Sequence, residues 1–272
     1  LLGHYREQGY DFMALTDHNR YYPGLEMDEA FEGVKLGITH VPGEEIHFPG
    51  CMIHTVHVGG KSSVAALYCK DEEKCRAEAD EYIEKVPADV PEQYRERYSR
   101  QMWITDRVHE AGGLAIFPHP YWKPGGSRVF NVQEEFARII LGSGMYDAYE
   151  LVGGMGQIGI NFSINLRAEL LAEGVKFPVV GSSDVHGIVA AETFPHLFTI
   201  CFAKDNSVDS IMEALKAGKT VAVEATGDEY KRHYRCYGDL RLVYYAQFLL
   251  TNYFPQLHLE ILLEIHIHLL HR

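Results

Sequence analysis

The sequence predicts an α/β fold built on a mostly parallel sheet. Short apolar runs of three to six residues alternate with longer stretches of helical spacing, about seven times over. Gly and Pro punctuate the joints between them. An open doubly wound sheet and a barrel both fit that count. No GxGxxG or GxxxxGK[ST] follows the first strand, which weakens a nucleotide-binding reading.

Each element follows from its local pattern. Residues 1–9 read as the end of a helix closed by Gly9. Residues 11–16 form an apolar strand that feeds the polar loop Thr16-Asp17-His18-Asn19. Residues 25–36 have helical spacing, and 38–41 form the next strand, which Pro42-Gly43 is expected to break. Residues 53–58 form a strand stopped by Gly59-Gly60. A charged helical stretch covers 71–111, interrupted near Pro87 and Pro91 and ended by Gly112-Gly113. Strands at 114–117, 148–152, 178–180 and 197–202 alternate with helices at 132–141, 162–173 and 207–217. The Tyr-rich stretch 230–254 reads as helical, and 257–272 alternates Leu and Ile with His and Glu. This divides the chain into a domain over 1–225 and an appendage with an atypical tail over 226–272.

Composition narrows the function. The 272 residues carry 38 acidic and 25 basic side chains, a formal charge of −13, which argues against holding nucleic acid by bulk charge. It leaves room for a nucleotide, or an oligonucleotide end, gripped at a metal site. No apolar run is long enough to span a bilayer, and no charged n-region and apolar h-region open the chain. Five cysteines without a CxxC pair suit a reducing cytoplasm better than a disulfide framework. Histidine is abundant, at 15 residues. Four imidazoles (His18, His54, His119, His186) and two carboxylates (Glu45, Asp184) are expected at the C-terminal ends of strands, where α/β folds build their sites. Imidazole nitrogen with carboxylate oxygen is a donor set for Zn²⁺, Mn²⁺ or Fe²⁺. Taken singly, each has a plainer reading: a rigid Pro-His-Pro turn, a helix cap in Ser-Ser-Asp-Val-His, a solvated Glu44-Glu45 pair.

The segments Leu15-Thr16-Asp17-His18-Asn19, Pro42-Gly43-Glu44-Glu45-Ile46, Phe117-Pro118-His119-Pro120 and Gly181-Ser182-Ser183-Asp184-Val185-His186 resemble, in order, the motifs of the polymerase and histidinol phosphatase (PHP) superfamily. The resemblance implies a distorted (β/α)7 barrel, two or three divalent metals, and hydrolysis of a phosphate ester through a metal-bound hydroxide. His18, Glu45, His119, Asp184 and His186 match ligand positions, with Glu45 as the carboxylate shared by two metals. Either His54 or His57 supplies the remaining imidazole. His-x-Val-x-x-Gly-Gly favours His54, and alternation puts the two on opposite faces. Asp184 and His186 would act in catalysis, Asp184 by orienting the attacking water or taking its proton. Asp17 and Glu150 would support the ligands, and Lys123 and Arg128 would meet phosphate oxygens. The family's first motif, a His-x-His on the first strand, is not found. The chain opens inside the helix that should follow it, so the first barrel strand is expected to be missing, leaving only the Glu45–His54–His119 position complete. Glu264-Ile265-His266-Ile267-His268 superficially resembles the missing motif; an amphipathic or irregular terminus is the plainer reading. The implied substrate is a phosphorylated small molecule or a nucleotide or oligonucleotide end. The alternatives are a non-catalytic binding or regulatory domain of the same fold and an amidohydrolase-like metal hydrolase.

Overall fold

The computed structural model describes residues 2–34, 36–125, 127–186, 194–227, 232–257 and 259–260. Six strands form one sheet in sequential order: β1 (Phe12–Leu15), β2 (Thr39–Ile46), β3 (Thr55–Val58), β4 (Leu114–Phe117), β5 (Ala148–Val152) and β6 (Val179–Gly181). A doubly wound sheet reverses its strand order at a switch point. An unbroken order is the winding of a barrel, and here the sheet curls as a half-barrel.

Helices cover the outside: α1 (Leu2–Glu7), α2 (Tyr22–Ala30), α3 (Ala65–Lys70), α4 (Glu72–Glu81), α5 (Glu92–Glu110), α6 (Glu134–Ser143) and α7 (Gly156–Ala172). Side-chain alternation sorts the two faces. Ala115 and Phe117 of β4 and Tyr149 and Leu151 of β5 pack outward with Trp103, Ile104, Phe136, Ile140 and Leu166 of the helices. Val41, Val58, Leu114, Ile116, Ala148 and Val180 face inward, where they meet Ile211 and Leu215 of α8 (Val208–Lys216).

Two features depart from the expected sheet. Pro42-Gly43 does not end a strand; β2 runs through it, with Pro42 opposite Leu15 and Gly43 opposite Val58. A Cβ on Gly43 would lie 2.5 Å from the His57 carbonyl oxygen, so the glycine serves close strand approach rather than a turn. The sheet is also mixed, because β3 is antiparallel to both β2 and β4.

The chain then builds a second, antiparallel sheet from β7 (Leu197–Cys201), β8 (Thr220–Thr226) and β9 (His233–Gly238). β8 was not expected, and β9 falls in the stretch read as helical. Tyr234 and Cys236 of β9 alternate inward onto α9 (Leu240–Phe248), which starts only after Asp239 caps it. The division at 225/226 falls within β8, and the segment beyond it supplies β9 to the same sheet. Thr199 Oγ1 accepts from Gly181 N (2.9 Å) and donates to Gly181 O (2.7 Å), which docks β7 against β6. Asn206, before α8, reaches back to Asp11 O and accepts from Thr39, at the starts of β1 and β2. The Glu264–His268 run lies outside the described residues. No helix among the described residues is long and apolar enough to cross a membrane.

One ion pair ties the entry of β4 to that of β5. Asp147 accepts from Ala115 N and His109 Nε2, each at 2.8 Å. That hydrogen bond outweighs partial burial and raises the His109 pKa above its ordinary value. A raised folded-state pKa gives stability that is full below the unfolded value, about 6.5, and is lost as pH rises through the folded value. The melting temperature of the native chain should therefore exceed that of His109→Gln most at pH 6. The gap should narrow as pH rises; a gap independent of pH contradicts the pair.

Candidate metal centre

Parity along the strands sends the polar residues to one place. Glu45 shares the inner face of β2 with Val41, and Glu150 shares that of β5 with Ala148. His54 lies one residue before β3 rather than at a strand's C-terminal end, as expected from the sequence. It reaches the same edge because β3 runs antiparallel, pairing Thr55 with Ile46. His119 follows β4 by two residues.

The loop after β1 is stitched onto β2. Glu45 N donates to Asp17 O (3.1 Å), and Asn19 N donates to Glu45 O (2.8 Å). This lays His18 beside Glu45 as a single parallel bridge. Asn19 Oδ1 accepts from His47 N (2.7 Å) and from the Tyr68 hydroxyl (2.5 Å). Asn19, His119 and Asp184 are the non-glycine residues with positive φ among the described residues, at 55°, 23° and 48°. Such backbone is costly and gathers at functional sites.

Four imidazoles surround the buried Glu45 carboxylate. His18 Nε2 lies 3.2 Å from Oε2. His54 Nδ1 lies 2.7 Å, His119 Nε2 3.2 Å and His47 Nε2 3.3 Å from Oε1. Two sets have potential ligand atoms within 4.8 Å of one another, His18–Glu45–His47 and Glu45–His54–His119. The His47 and His54 rings stack at 3.7 Å and 12°. His54 Nδ1, His47 Nε2 and His119 Nδ1 are buried without a hydrogen-bond partner.

The electrostatics are those of a cation site. Burial alone would raise the Glu45 pKa, but the close imidazoles of His119, His47 and His54 outweigh it and hold the carboxyl well below the usual range. Burial would lower the His119 pKa, but the Glu45 hydrogen bond and the charges of Glu150 and Asp184 push it up to about 9. Burial lowers the pKa of His18 and His54, which favours neutral imidazoles with lone pairs to give. Burial also raises the Asp184 pKa and pushes Glu150 up to about 7.

The other expected residues lie at varying distance. His186 is exposed, with Nε2 3.2 Å from His18 Nε2. Asp184 and His186 fall outside both ligand sets. Glu150 Oε2 accepts from the Ser182 hydroxyl (2.6 Å), and Oε1 has no partner. Gly153 and Gly154 make room for these carboxylates: a Cβ would lie 1.6 Å from Glu150 Oε1 or 2.1 Å from Asp184 Oδ2. The Asp17 side chain is exposed and makes no hydrogen bond or ion pair among the described residues; its carbonyl does the positioning. Lys123 lies over the Phe130 ring and Arg128 is exposed; neither makes a hydrogen bond or ion pair with the cluster among the described residues. His57 is buried on the opposite face against Glu44. Sequence reasoning missed His47 and the positioning by Asn19. The available signal was Glu45-x-His47, two residues apart on one strand face.

No family model and no curated protein matches this chain. Solved structures do resemble it. One is a two-domain Bacteroides vulgatus protein with a part assigned by prediction as a PHP-like metal-dependent phosphoesterase (18% identity, 79% of this chain, TM-score 0.45). This chain spans 56% of that protein. Another is a Bifidobacterium adolescentis protein assigned as a metal-dependent phosphoesterase (17% identity, 68% of this chain and 81% of that one, TM-score 0.46). A third is an amidohydrolase from Chromobacterium violaceum with bound sulfate and no metal (12% identity, 65% and 78%, TM-score 0.41). Likeness of this size leaves the chemistry of the site to carry the functional reading.

Proposed function

We propose that this chain is a PHP-type metal-dependent hydrolase of phosphate esters. The observation that carries the reading is the buried Glu45 carboxylate ringed by imidazoles with unpartnered nitrogens. Glu45, His54 and His119 would hold one divalent ion, with His18 on the other oxygen of Glu45. The donor set fits: neutral imidazole and carboxylate, with no thiolate in either group, suit Zn²⁺, Mn²⁺ or Fe²⁺. Such an ion, when bound, supplies Lewis acidity and lowers the pKa of water.

The chain's own groups supply the rest. Asp184, its pKa raised by burial, would be the group that takes a proton. Glu150, pushed up to about 7 and hydrogen-bonded by Ser182, would hold or release a proton near neutral pH. His186, exposed and beside His18, would meet an entering phosphate. With a chain charge of −13, attraction for an anion would come from the ions rather than the surface. The preference for a phosphate ester over an amide rests on the four ordered motifs, and the substrate class is a phosphorylated small molecule or a nucleotide or oligonucleotide end.

The test is metal content by elemental analysis after loading with Mn²⁺, Zn²⁺ or Fe²⁺, with turnover of aryl phosphates and nucleotides. His119→Ala should lose metal and activity together. Unchanged metal stoichiometry in that variant defeats the site assignment. Turnover of amides without phosphates would shift the reading to an amidohydrolase, and metal uptake with neither would leave a binding domain.

A further inference from the structure

We infer that His47 is itself a metal ligand, completing with His18 a second position that shares Glu45 with the His54–His119 position. The inference rests on the proposed metal site and extends it by a residue that none of the four motifs contains. His47 Nε2 is buried, has no hydrogen-bond partner, and lies 3.3 Å from Glu45 Oε1. That spacing is a close contact between an imidazole nitrogen and a carboxylate oxygen. It is close to the edge of a tetrahedron of metal–ligand bonds about 2.0–2.1 Å long, roughly 3.3–3.4 Å.

The ring is also fixed from three sides. Asn19 Oδ1 holds the His47 backbone N–H, the His54 ring stacks on one face, and the His18 ring lies 4.2 Å away. Asn19 thereby acts as a positioning residue: it pins His47 with its side chain while its own N–H pins Glu45. A histidine serving only as packing has no need of a nitrogen aimed at a shared carboxylate. His47→Phe separates the two roles, since it keeps an aromatic ring on His54 and removes the nitrogen.

The experiment titrates the metal-free 272-residue chain with Co²⁺, reading visible absorption and bound metal per chain. Native protein should take up two equivalents. His47→Phe and His47→Gln should keep one, with affinity for the second about tenfold weaker or worse. The Co²⁺ ligand-field band of the second equivalent should vanish. Both variants should melt as the metal-free native protein does. Two equivalents of native affinity and spectrum in both variants overturn the role of His47 and leave the main site standing. Native protein that binds no Co²⁺ overturns the proposed function and this inference together.

Discussion

Glu45→Gln should give a folded protein with less than half the native metal content and hydrolysis reduced about 100-fold or more. Glu45 is the one residue common to both sets of potential ligands, so the substitution removes the anionic donor from each at once. Glutamine keeps the volume and an acceptor for imidazole N–H groups, which preserves the fold. Chelator treatment of the native protein should reproduce the loss, and added metal should restore the native protein but not the variant. Metal binding must displace the proton that His119 holds up to about pH 9, so apparent affinity should rise with pH. The metal-free proteins add a second reading. The depressed Glu45 pKa contributes stability above the unfolded carboxylate value, and the raised His119 pKa contributes it below the unfolded imidazole value. The native advantage over Glu45→Gln should be widest between about pH 5 and 6.5 and close as pH rises through about 9. A variant with native metal content would remove Glu45 from the site.

The strands that could be read from sequence were those with an uninterrupted apolar run. β4 and β5 fall where the pattern put them because both faces are buried, and such runs need no partner to be recognised. Direction was harder. Nothing within residues 53–58 says which way that strand runs. The link from Ile46 to Thr55 carried the answer, being too short for the crossover that parallel strands require. Reading that link would have placed His54 at the start of a strand and drawn attention to His47 within it. Pro42-Gly43 misled for a related reason: Pro and Gly usually mark turns, and only the tertiary approach of β3 explains a glycine there. β9 was hidden because its tyrosines suit helix and strand alike, and its pairing partner β8 was itself not expected. The positions of Asp184 and Glu150 depended on Gly153-Gly154, whose role appears only once β5 and the loop after β6 are side by side.

Glu44 and Glu45 are adjacent carboxylates with opposite duties, and replacing Glu44 should show it. Strand alternation turns Glu44 away from the imidazole cluster and into the layer between sheet and helices. There it is fully buried and is not the solvated partner of an acidic pair. It accepts from the Ser63 hydroxyl and Val64 N, each at 2.6 Å, and lies 3.1 Å from His57 Nδ1. These contacts anchor the entry to α3 and join it to β2 and β3. Glu44→Ala would strand all three donors in a buried setting, a loss of about 3–5 kcal/mol. For a chain of this size that corresponds to a fall of about 10 °C in melting temperature. Glu44→Gln should lie between, since its carbonyl oxygen still accepts from two of the donors. The folded fraction of Glu44→Ala should bind native amounts of metal, because the cluster faces the other way. Glu45→Gln should show the reverse: a depleted site, with near-native melting in the metal-free state once the pH is raised to about 9. A Glu44→Ala protein that melts as the native chain does, or that loses its metal while keeping its stability, would break the assignment of one carboxylate to each face.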